Sequence, residues 1–77
     1  MTYKHTKIYY ITNKMTGQHK EEFADPYRAI DHLHSLPVEE SYKYGVTCVE
    51  TYAYFDEDGF FYERDTNEKW VDELEYR

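Results

Sequence analysis

At 77 residues the chain makes one domain, 1–77, near the lower limit for a self-sufficient core. Only ten residues are Ile, Leu or Val, against ten Tyr and four Phe, so the core must lean on rings. A net charge of −7 argues against direct binding of nucleic acid, whose affinity comes mainly from Lys and Arg neutralising phosphates.

Residues 1–20 carry charge but no apolar segment, so no signal peptide is read there. No run approaches the ~20 apolar residues of a membrane helix. Cys48 stands alone, which excludes an intramolecular disulfide and fits a reducing compartment; a cytoplasmic, soluble protein is expected.

In chain order, residues 6–12 (TKIYYIT) are rich in Ile and Tyr and read as the first strand. Residues 13–17 form a loop in which Gly17 is free to take positive φ. Residues 18–23 read as an edge strand whose Lys20, Glu21 and Glu22 discourage unwanted pairing. Asp25-Pro26 then starts a helix: Asp25 caps free backbone N–H groups, and Pro26 suits the first helical position. Tyr27, Ile30, Leu33 and His34 fall on one stripe at helical spacing. Pro37 ends the helix near Ser35 or Leu36. A connector follows, with a helical turn through residues 39–42 that Gly45 is placed to terminate.

Residues 45–65 (GVTCVETYAYFDEDGFFYERD) are the stretch around which the rest is organised, and they predict a hairpin. A two-residue turn at Asp58-Gly59 would set Phe55 opposite Tyr62. A three-residue loop, 57–59, with Gly59 left-handed would set Phe55 opposite Phe61, Tyr54 opposite Tyr62 and Tyr52 opposite Arg64. Aromatic cross-strand pairing favours the second. One face then carries Val49, Ala53, Phe55 and Phe61 and reads as core, since it lacks hydroxyl-bearing rings. The other carries Cys48, Tyr52, Tyr54 and Tyr62; its tyrosines either cover a small core with their hydroxyls in water or form a recognition face.

Beyond the hairpin, Asp65 with Glu68 resembles a capping box, and Thr66 is an alternative cap. A second helix with Trp70, Val71 and Leu74 on its apolar face is preferred to a fifth strand on which Trp70, Leu74 and Tyr76 share one parity. The order strand–strand–helix–strand–strand–helix defines an α+β domain: an antiparallel sheet of about four strands with helices packed on one face.

No motif carries catalysis, so no enzyme activity, cofactor or metal is expected. His32 and His34 point apart on a helix, and Asp31 with His34 finds nothing nearby to complete a ligand set. Asp56, Glu57 and Asp58 lack the spacing of a calcium loop. Cys48 in a strand reads as a small buried apolar residue rather than a nucleophile.

Charge is distributed unevenly. Lys4, Lys7, Lys14 and Lys20 precede any acid; from Glu21 onward sixteen acids stand against five bases, a balance of −11. In size, acidity and surplus tyrosine, across the whole chain though in no motif, the protein resembles the short acidic proteins with which bacteriophages inhibit host defence or gene expression: anti-CRISPR proteins, anti-restriction proteins and DNA mimics. The resemblance implies a non-enzymatic inhibitor, acting in the host cytoplasm on a basic nucleic-acid-binding protein. Glu50, Asp56, Glu57, Asp58 and Glu63 would stand where that partner expects phosphates, with Tyr52, Tyr54 and Tyr62 as desolvated anchors. The four lysines depart from a pure duplex mimic and favour one acidic patch. Two other readings remain open: a homodimer through the tyrosine face, and a single-strand nucleic-acid platform with Lys4, Lys7 and Lys20 on phosphates.

Overall fold

The computed structural model describes residues 2–76, with the backbone alone for 61–63. Four strands, β1 (Thr2–Asn13), β2 (His19–Phe23), β3 (Tyr44–Phe55) and β4 (Phe61–Trp70), form one antiparallel sheet in the order β2-β1-β3-β4. Between β2 and β3 lie helix α1 (Pro26–Ser35) and the single turn α2 (Val38–Ser41); a 3-10 turn, Glu73–Tyr76, follows β4. The class is α+β, as expected. Among the described residues no helix is long and apolar enough to cross a membrane.

The local signals around α1 act as their chemistry dictates. Asp25 is extended and its Oδ1 accepts from the Tyr27 N–H at 2.7 Å, while Pro26 opens the first turn. The helix stops at Ser35, ahead of Pro37. Ala29, Ile30 and Leu33 are the buried residues of α1, and they pack on Tyr9 and Ile11 of β1 and Val46 and Cys48 of β3. Burial of each aliphatic contributes roughly 1.5–3 kcal/mol. Tyr27 and His34, expected on that stripe, are exposed instead; small Ala29 replaces them at the interface, where it allows close approach.

The hairpin turns as the three-residue loop predicts. The Asp56 N–H donates to Phe60 O and the Gly59 N–H to Asp56 O, each at 3.0 Å, and Gly59 has φ of 83°. Phe55 pairs with Phe61. The register then departs from expectation: a bulge leaves Tyr62 as the extra residue, so Tyr54 faces Glu63 and Tyr52 faces Asp65.

Three further expectations are corrected. The core lies on the parity of Val46 and Cys48, which is also that of Tyr52 and Tyr54, while Val49, Ala53 and Phe55 face away from α1. The reason is the pairing Ile11↔Val46 and Tyr9↔Cys48, which puts the small side chains of β3 beside the two buried residues that β1 turns toward α1 and leaves room there for the helix. Likewise, no helix begins at Asp65. Residues 63–70 continue β4 in an unbroken ladder with β3, from Tyr54↔Glu63 to Thr47↔Trp70, and that pairing overrides the local capping signal. Helical geometry waits for Asp72, whose Oδ1 accepts from the Leu74 N–H at 3.0 Å. Gly45, too, acts differently: it lies within β3, and a Cβ there would meet the Trp70 ring at 2.9 Å.

The sheet face away from α1 is uncovered by helix but tied across. His19 of β2 stacks on Tyr10 at 4.0 Å between ring centres, and its Nε2 lies 2.9 Å from Glu68 Oε1 of β4. Beneath this clasp the hydroxyls of Thr12 and Thr47, both buried, share a hydrogen bond of 2.7 Å.

The molecule is long, 51 × 27 × 16 Å, with a radius of gyration of 15.1 Å. A compact chain of this length would give about 11–12 Å. The excess comes from a three-stranded arm, residues 2–8, 49–55 and 61–67, which runs past the end of the helix-covered half.

Candidate functional site on the hairpin arm

Pairing of β1 with β3 sets Tyr3 opposite Tyr54, His5 opposite Tyr52 and Lys7 opposite Glu50, all on the face that α1 covers lower down. The rings meet accordingly. Tyr3 lies 6.1 Å from Tyr52 and 5.9 Å from Tyr54, and His5 stacks on Tyr52 at 4.3 Å with planes 1° apart. Such contacts are worth ~0.5–1.5 kcal/mol beyond area alone, so they stiffen an arm that has no helix behind it.

Glu50 anchors the inner end of this row. Its Oε2 lies 3.3 Å from His5 Nε2 and accepts from the Tyr52 hydroxyl at 3.3 Å, while Oε1 is 3.8 Å from Lys7 Nζ. Burial pushes its carboxyl up, but Lys7 and the hydrogen bonds from His5 and Tyr52 outweigh it and hold the group below its ordinary value. Burial, followed by the Glu50 charge, raises the Tyr52 phenol. Glu50 is therefore engaged inside the site: it positions Tyr52 rather than offering a free charge.

At the tip, Asp56 is half engaged too, its Oδ1 accepting from the Asp58 N–H at 3.0 Å and the Phe60 N–H at 2.9 Å. Glu57 and Asp58 are exposed. Of the eight residues singled out from sequence, Glu50, Tyr52 and Tyr54 share one face of the arm, and Asp56, Glu57 and Asp58 form its end. The side chains of Tyr62 and Glu63 lie outside the described residues.

Sequence reasoning missed Tyr3 and His5, because it began the first strand at Thr6. The alternation of Tyr3, His5 and Lys7 on one parity was the signal that could have found them.

Each histidine meets one glutamate from another element. Besides His5–Glu50 and His19–Glu68, His34 Nε2 lies 3.1 Å from Glu73, and His32 Nε2 lies 3.2 Å from Glu21 but outside hydrogen-bond geometry. Among the described residues no three His, Cys, Asp or Glu side chains converge as a metal site would require. Cys48 is buried. No known protein family matches the chain, and no curated protein or solved structure matches it significantly.

Proposed function

We propose that the chain is a non-enzymatic protein-binding module, an acidic inhibitor of a basic nucleic-acid-binding protein of the host cell. The observation that carries this reading is a row of tyrosines in mutual tilted contact, exposed Tyr3 against half-buried Tyr52 and Tyr54, on the arm that ends in the exposed carboxylates of Glu57 and Asp58. Rigid tyrosines lose little entropy on docking and supply the apolar anchors of an interface. The acidic tip steers a basic surface toward them. The anti-defence class, a phage protein acting in the cytoplasm, fits that chemistry.

The test is affinity capture from a host lysate with wild-type protein and Tyr54→Ala, at low and high salt. Capture of a basic nucleic-acid-binding protein is expected, weakening as salt rises and falling by ~1–2 kcal/mol in the variant. Capture indifferent to both changes would refute the reading. A homodimer through the same rings is the second reading, favoured by the 62 % exposure of Tyr3 in a chain with so small a core. Sedimentation of the protein alone across a concentration series separates the two.

A further inference from the structure

β2 covers β1 only between Tyr9↔Phe23 and Thr12↔His19, so residues 2–8 form an open sheet edge closed at one end by Phe23. Two bonds at the base of β1 fix which backbone groups point outward there. The Lys14 N–H donates to Lys43 O at 2.9 Å, one step beyond the pair Asn13↔Tyr44, so the even-numbered residues of β1 bond to β3. The Asn13 N–H donates to Gln18 O at 2.9 Å, so the odd-numbered residues face the other way. Tyr3, His5 and Lys7 therefore direct N–H and C=O out of the sheet, and no bond to these groups occurs among the described residues.

We propose that this notch takes an extended, acidic segment of a partner protein as an added strand, in line with β2. Charge complementarity selects the occupant. In a chain of net charge −7, residues 2–8 hold Lys4, His5 and Lys7 and no acid. Lys7 is already engaged by Glu50. Lys4 has no ion pair among the described residues, and it shares a cross-strand row with Ala53 and Arg64 on the face away from α1. An added strand presents alternate side chains to the two faces. Acidic ones would meet Lys4, and apolar ones would lie beside Tyr3 and His5.

Two alternatives fit less well. A second copy of the chain, paired notch to notch with odd residues opposite odd, would carry its own acidic loop at 57–59 alongside Glu21 and Glu22 of β2, acid against acid. The β4 edge is also open: the Val71 N–H donates to Val46 O, so Arg64, Thr66, Glu68 and Trp70 face out. Residues 64–69 of that edge set Arg64 and Lys69 against Asp65 and Glu68, so it offers an acidic strand no net charge to meet.

The probe is a short capped peptide of alternating Glu and Val, with an alternating Lys and Val peptide as control, followed by amide hydrogen exchange of the full chain. The Glu peptide should slow exchange at Tyr3, His5 and Lys7 and leave Arg64, Thr66 and Glu68 unchanged. His5→Pro removes the imidazole and the outward N–H together, whereas His5→Ala removes the imidazole alone, so the proline variant should abolish binding and the alanine variant should retain it. Lys4→Glu leaves the backbone edge intact and should weaken binding about two- to fivefold, the scale of an exposed ion pair. Equal binding of the Lys peptide, protection at the β4 edge instead, or no protection at all overturns the proposal. So does protection of Tyr3, His5 and Lys7 in a dimer of the chain alone.

Discussion

Thr47→Val removes one hydroxyl from the middle of the sheet with almost no change of volume. Thr12 and Thr47 are 1 % and 2 % exposed, and their oxygens lie 2.7 Å apart. The single substitution leaves the Thr12 hydroxyl buried without that partner, which costs about 1–3 kcal/mol. In a domain of this size each kcal/mol moves Tm by roughly 4–8 °C, so a fall of at least ~4 °C is expected. The double variant Thr12→Val/Thr47→Val strands nothing and places two good strand formers side by side; it should return to within ~1 kcal/mol of wild type. With each single stranding one hydroxyl at about 1–3 kcal/mol, the double-mutant cycle predicts a coupling of at least ~1 kcal/mol, read from urea unfolding followed by far-ultraviolet circular dichroism at constant m. If both singles cost less than ~0.5 kcal/mol and add, water reaches the hydroxyls, and the clasp of Tyr10, His19 and Glu68 does not seal that face.

Ile11, fully buried at the centre of the core, should lose about 2–5 kcal/mol on change to Ala, a large share of the ~5 kcal/mol of a small domain, seen as a lower urea midpoint. Glu50 is held below its ordinary value of 4.5, so its contribution to stability is present above that pH and is lost as the pH falls through the lower folded value. The stability gap between wild type and Glu50→Gln, measured by denaturation at several pH values, should accordingly close in acid. Tyr9 has its phenol pushed from 10.0 up to about 12, by burial first and then by Cys48 and Tyr76. Its contribution is complete below pH 10.0 and disappears as the pH climbs toward 12; tyrosinate absorbance should show a late-titrating component, to which Tyr52 also contributes, that Tyr9→Phe reduces.

Much of the fold was legible because its signals are local. Asp25 and Pro26 start a helix wherever they stand, Pro37 stops one, and Gly59 after Asp58 turns a hairpin; each works through its own backbone or that of its neighbours. The errors came where a distant partner decides. Asp65 and Glu68 carry a capping pattern, but the ladder to β3 claims the whole segment, and nothing within residues 65–70 records that ladder. The two faces of residues 45–55 are similarly apolar, so burial depends on where α1 lands, and that follows from the register of β1. The candidate site was half visible for the same reason. Tyr52, Tyr54 and the tip acids lie together in sequence, whereas Tyr3 and His5 arrive from the other end of the chain and convert Glu50 from a surface charge into an internal brace. The bulge at Tyr62 left no trace that hairpin chemistry could read.

A molecule 51 Å long and 16 Å thick does not melt evenly. Near the helix, Val46 and Cys48 are packed under Ala29, Ile30 and Leu33, so their amides are expected to be among the last to exchange. Toward the tip, the same β3 has only its two neighbouring strands and a layer of rings for company, so separation of the ribbon there is a cheaper event than global collapse. The chain thus carries a gradient of cohesion along a single strand, greatest where the helix covers it and held toward the tip by strand pairing and ring contacts.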